Sequence, residues 1–162
     1  MREERGTALA GLLLAVAVAA VLSQMALPAI WRIYQQGAVR FEAEHLLSEI
    51  RYQQMLARTA SGELGAEGSN KYASDRPRLK VDGDGYVLYR GNQRGEKHSC
   101  LPAVHMQFRG NWDGKDQFLY FGVNGNVYPG ITVLIFASGN DKVICHLVID
   151  TAGRVRLERS SS

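Results

Sequence analysis

The chain has 162 residues, with 19 Lys and Arg against 16 Asp and Glu, a net charge of +3 and a pI near 9.0. Setting aside an apolar N-terminal stretch leaves about 130 residues, room for one domain with its own core rather than several. Mean hydropathy is only −0.17 despite that stretch, so the remainder is polar and water-facing, and a charge this mildly basic decides nothing about nucleic acid.

Met1-Arg-Glu-Glu-Arg-Gly6 carries two Arg and two Glu, so the chain beyond it is also at +3. Between Arg5 and Arg32 there is no charged residue. A bilayer core about 30 Å thick needs roughly 20 helical residues to cross, and this run is long enough. It does not end in a small-residue cleavage site, so an ordinary secretory signal fits poorly. Arg2 and Arg5 precede the run and Arg32 and Arg40 follow it, which leaves orientation undecided by charge. Beyond Pro28 the pattern stays helical. Val39, Ala43, Leu46, Leu47 and Ile50 recur at spacings of three and four, and Arg40, Glu42, Glu44, Glu49 and Arg51 take the rest of the circumference. One helix from near Ala8 to near Arg58 is expected, with Pro28 and Gly37 as its weak points.

Residues 59–77 hold Gly62, Gly65 and Gly68 among Ser and Asn and read as a loop. Strands are expected over 78–81, 86–90, 104–108, 117–121, 131–137, 143–149 and 154–158, separated by Gly- and Asn-rich turns. The first two form a hairpin through Asp82-Gly-Asp-Gly85, which lacks the spacing and closing Glu of a calcium loop and reads as a plain tight turn. One helix plus about seven antiparallel strands is an α+β fold. No nucleophile elbow, phosphate-cradling Gly-Lys motif or zinc-protease pair of histidines occurs, so no enzyme or cofactor is expected. His45, among carboxylates, and His105, in a strand, read as surface or packing residues.

The N-terminus resembles that of the type IV pilins and type II secretion pseudopilins. In that family a short basic leader ends in Gly and is cut by a prepilin peptidase, and the new N-terminus is methylated. The resemblance implies cleavage between Gly6 and Thr7, N-methylation of Thr7 and a helix kink at Pro28. It also implies a domain plan: leader 1–6, transmembrane and filament-core helix 7–33, amphipathic continuation 34–58, loop 59–77 and antiparallel β domain 78–162. Thr7 replaces the family's usual Phe. Gly11 stands where most members have a Glu, whose burial in the membrane would cost roughly 2.5–3.5 kcal/mol unless paired. In the family that Glu pairs with a neighbouring subunit's amine, and members lacking it tend to be minor subunits.

Three further stretches, around 106–111, 125–136 and 147–157, resemble minor pseudopilin H and the FimT-type minor pilins, and competence pseudopilins share much of the pattern. The family places the C-terminal domain outside the cytoplasm, on a single-pass anchor in the inner membrane. Implied partners are other pilin subunits, the prepilin peptidase and the membrane, with double-stranded DNA as a candidate. In FimT-type proteins a terminal Gly-Arg-x-Arg is associated with DNA contact; here it is Gly153-Arg154-Val155-Arg156. On a strand Arg154 and Arg156 share one face while Val155 and Leu157 turn inward, two guanidiniums suit adjacent phosphates, and Arg159 adds a third. The alternative is a solvated last strand in a structural subunit with protein partners only, the role of a secretion pseudopilin. In an exported domain Cys100 and Cys145 read most simply as one disulfide, closing a loop of about 45 residues for roughly 3–4 kcal/mol. Buried thiols are the second reading. A zinc site with His98 and His146 is the third, opposed because Cys145 and His146 would point to opposite faces of a strand.

Overall fold

The computed structural model describes residues 2–60, 76–91, 93–110, 118–139 and 143–159, with backbone only for 2–10, 60, 143, 144 and 159. Helix α1 (Arg2–Ala60) is continuous through Pro28 and Gly37. It runs a turn or more further at its start than the apolar periodicity suggests. Among the described residues nine strands follow: β1 (Arg78–Asp82), β2 (Gly85–Arg90), β3 (Gln93–Ser99), β4 (Val104–Gly110), β5 (Phe118–Phe121), β6 (Val127–Tyr128), β7 (Ile131–Ala137), β8 (Val143–Ile149) and β9 (Val155–Arg159). The fold is α+β, as expected, with all strand pairs antiparallel. Of the loop expected over 59–77, residues 61–75 lie outside the described set, as does Asn111 of the first family-like stretch.

Two strands were not expected. Residues 93–99 read Gln-Arg-Gly-Glu-Lys-His-Ser, with no apolar alternation, yet they form the edge of a sheet, where a polar strand is tolerated and discourages further pairing. The other, β6, has two residues and is too short to show a period. The strands form two sheets. The first has order β3-β2-β1-β5-β6 and the second β4-β7-β8-β9.

The chain divides into two compact units, Met1–Gln35 and Gln36–Ser162. In the first, every large apolar side chain from Leu12 to Ile33 is exposed, Leu12 by 63% and Met25 by 75%. This part of α1 is long and apolar enough to cross a membrane. Within this stretch Trp31 and Tyr34 touch each other, their ring centroids 5.5 Å apart.

The second unit has a core of its own. Val39, Ala43, Leu46, Ile50, Gln53 and Ala57 are buried at spacings of 4, 3, 4, 3 and 4, a ridge along one helix face. Against it pack Leu79, Val81, Tyr86, Leu119 and Phe121 from the first sheet, and Met106, Val133, Ile135, Leu147 and Ile149 from the second. Both sheets thus give their inner faces to one helix. Each fully buried Leu or Ile stabilises by about 1.5–3 kcal/mol. Leu47 only borders this core. Glu42, assigned above to the solvent side, is buried to 1% exposure.

Candidate functional site

The C-terminal motif begins in a turn. Gly153 N donates to Asp150 O (3.0 Å) and Asp150 N donates to Arg154 O (3.1 Å). Asp150 also accepts from Arg154 twice, at its backbone N (2.9 Å) and at Nε (2.7 Å). These contacts hold the Asp150 carboxyl below the usual carboxylate range, the backbone N–H of Arg154 first among the causes. A depressed pKa means the pair persists at neutral pH and is lost only as pH falls through that lowered value. Arg154 precedes β9, which starts at Val155 rather than at 154. Arg156 lies opposite Val148, and Glu158 opposite His146. Both arginines are exposed, but Arg154 already has a carboxylate. Val155 packs on the core as expected. Leu157 does not turn fully inward: β9 is an edge strand and leaves it 36% exposed. The side chain of Arg159 lies outside the described set.

Gly153 has a structural task of its own. Its φ is +83°, and Gly125, in the turn between β5 and β6, has φ +78°. A Cβ on Gly153 would lie 2.1 Å from Gly125 O. Gln54 of α1 donates from Nε2 to both carbonyls, Gly125 O at 2.9 Å and Gly153 O at 2.7 Å. One buried amide therefore clasps the turns of two different sheets to the helix. Gly125 opens the second family-like stretch, but its link to Gln54 was not visible, because Gln54 reaches residues 71 and 99 positions away in the chain.

A second polar cluster lies between α1 and β3. Glu42 Oε1 accepts the backbone N–H of Leu101 (2.9 Å) and Oε2 meets His98 Nε2 (2.9 Å). His45 Nδ1 bonds the Tyr86 hydroxyl. The rings of His45 and His98 stack with centroids 4.4 Å apart, and Tyr86 lies 4.8 Å from His98. Burial first, then the charges of Glu49 and Glu42, pushes the Tyr86 hydroxyl up, so it stays protonated. His45 is thus a packing residue, hydrogen-bonded to Tyr86 and stacked on His98. The available signal was the spacing of Glu42 and His45, one turn apart on one helix face, in a sequence crowded with other carboxylates.

Cys100 and Cys145 are two thiols in the structure, not a disulfide. Cys100 follows β3 in the first sheet, whereas Cys145 lies in β8 of the second, its Sγ 3.6 Å from Glu158 O. The Cys100 thiol is pushed up to about 12, by burial first and then by Glu42 and Asp84, and a protonated thiol is a poor nucleophile for disulfide exchange. Cys145 faces the core while half-buried His146 takes the other side of β8. His98 finds its partners on α1.

Cationic side chains also collect on the outer face of the first sheet. Cross-strand register places Arg94, Tyr89, Arg78, Tyr120 and Tyr128 in one row across five strands. Arg78 Cζ sits 5.2 Å from the Tyr89 centroid and 5.0 Å from that of Phe118, with Lys80 Nζ 5.4 Å from Phe118. Such contacts contribute about 0.5–1 kcal/mol each at exposed sites. The Asp82–Asp84 turn holds Lys97 (2.9 Å to Asp84 Oδ1, 3.7 Å to Asp82 Oδ2). The positive charge is therefore spread over both sheets rather than gathered at β9.

A long N-terminal helix whose second half forms the core of two antiparallel sheets is the architecture of the type IV pilins and pseudopilins. Solved structures bear this out. The type IV minor pilin FimU of Pseudomonas aeruginosa matches with a TM-score of 0.54 and 20% identity, over 76% of this chain and 90% of that one. The minor pseudopilin EpsH of the Vibrio cholerae type 2 secretion system matches with a TM-score of 0.53 and 12% identity, over 76% of this chain and 98% of that one. No protein-family model matches the sequence, and no curated protein matches it. The chain has the type IV pilin and pseudopilin fold.

Proposed function

We propose that the chain is a minor subunit of a pilus or pseudopilus, anchored in the inner membrane by the first half of α1 with the two-sheet unit outside the cytoplasm. The observation that carries this is the exposed apolar helix surface from Leu12 to Ile33, followed in the chain by a two-sheet unit with a core of its own. Apolar surface on this scale needs a cover, and lipid before assembly and neighbouring helices after it supply one. Leader removal at Gly6 and methylation of Thr7 belong to this reading. So does Gly11: without a carboxylate the helix inserts readily but cannot make a charged pair, which suits an infrequent position in the filament. The role is structural, not enzymatic.

Within that role, the finer reading is that Arg156, with Arg154 and Arg159, contacts DNA phosphates. The full chain in detergent micelles is then expected to bind duplex DNA weakly, without sequence preference, and less as salt rises. Replacing Arg154 and Arg156 together with Gln should lower affinity and flatten the salt slope by up to about two contacts. Asp150→Asn keeps the acceptor for Arg154 N but releases the guanidinium, and should raise affinity. A polarisation titration at two salt concentrations reads all three. Equal binding by wild type and the double variant would leave the second reading, a secretion pseudopilin with protein partners only. That reading is favoured by the Asp150–Arg154 ion pair and by Glu158 beside Arg156.

A further inference from the structure

We propose that Glu42, His45 and His98 form a binding site for one divalent transition-metal ion of the zinc class. The site is independent of the filament reading.

Two imidazoles and one carboxylate offer ligand atoms that all lie within 4.8 Å of one another. Glu42 and His45 are one turn apart on α1, and His98 comes from β3. Zinc legs of about 2.0–2.2 Å set tetrahedral ligand atoms about 3.3 Å apart. The 2.9 Å between Glu42 Oε2 and His98 Nε2 is a contact an ion can enter with a shift of a few tenths of an ångström.

The supporting groups are already in place. Metal-bound carboxylates and imidazoles are oriented by hydrogen bonds at their non-ligating atoms. Glu42 Oε1 is fixed by Leu101 N–H, which leaves Oε2 for the ion. The Tyr86 hydroxyl occupies His45 Nδ1, which leaves Nε2. Glu42 is buried to 1% exposure, and His45 and His98 are half-buried, so the ion would have a protected side and an entry. An ion must lie in the plane of each imidazole it binds, so loading splays the rings that now stack at 4.4 Å. A nitrogen-rich donor set of this kind suits zinc, cobalt or nickel and rejects calcium and magnesium, which demand oxygen. The fourth position goes to water. The consequence is a cross-link between α1 and the β3 edge of the first sheet.

The test is calorimetric titration of the untagged full chain in detergent micelles with zinc chloride, beside calcium chloride, with cobalt absorption as a second readout. One equivalent of zinc should bind, calcium should give no saturable heat, and cobalt should show the intense visible bands of a tetrahedral site. His45→Ala and His98→Ala should each weaken zinc by tenfold or more. Tyr86→Phe keeps the ring and loses only the hydroxyl that orients His45, and should weaken zinc about tenfold. Cys100→Ser and His146→Ala should bind as wild type. Absence of a one-equivalent zinc isotherm overturns the proposal. So does unchanged affinity in both histidine variants, or loss on changing Cys100 or His146.

Discussion

Gly153→Ala is expected to destabilise the two-sheet unit by about 3 kcal/mol, lowering its melting temperature by roughly 10 °C. Three costs add. Alanine in the left-handed region costs about 1–2 kcal/mol by itself. Its Cβ would stand 2.1 Å from Gly125 O, closer than any real contact, so the two turns must part. Parting them breaks the geometry in which Gln54 bonds both carbonyls, at about 1 kcal/mol per hydrogen bond. Arg156→Ala, three residues on and exposed, should stay within about 0.5 kcal/mol of wild type. Thermal unfolding followed by near-ultraviolet circular dichroism separates the two. A Gly153→Ala protein as stable as wild type would refute the clasp. The contrast divides the Gly-Arg-x-Arg motif into a glycine that closes the fold and an arginine available for contact.

Glu42→Ala should cost about 3 kcal/mol in metal-free protein. The substitution leaves Leu101 N–H and His98 without their acceptor in a part-buried place, and each polar group left unsatisfied there costs about 1–3 kcal/mol. Glu42→Gln retains an acceptor for Leu101 and should lose about half as much. A double-mutant cycle with His98→Ala assigns the share that belongs to the pair. Additive effects in that cycle would show that the Glu42–His98 contact contributes no coupling energy, and a neutral Glu42→Ala would show that Glu42 contributes nothing to stability.

The sequence disclosed most where one period ran uninterrupted. The ridge through Val39, Ala43, Leu46 and Ile50 was visible, and strands β7 and β8 were expected with the boundaries they have, because continuous apolar runs between Gly- and Asn-rich turns admit little else. Polar β3 and two-residue β6 were not visible, since tertiary pairing rather than local preference makes them strands. Their absence from the expectation also concealed that the first sheet has five strands. Glu42 was misplaced because helical periodicity assigns a face by the majority of residues, and a buried carboxylate is the exception that periodicity cannot flag. The Gln54 clasp and the Glu42–His98 pair bridge 56 to 99 positions of chain, a separation at which no local pattern is informative. Arg154 and Arg156 were found by motif, but the turn that gives Arg154 to Asp150 changes what the motif can do.

Processing and assembly as a filament subunit are tested most directly at the N-terminus of the chain. Mass spectrometry of the protein recovered from membrane and filament fractions of its native host should find a terminal peptide beginning at Thr7 and carrying one added methyl group. Recovery of assembled protein still beginning at Met1 would contradict the account.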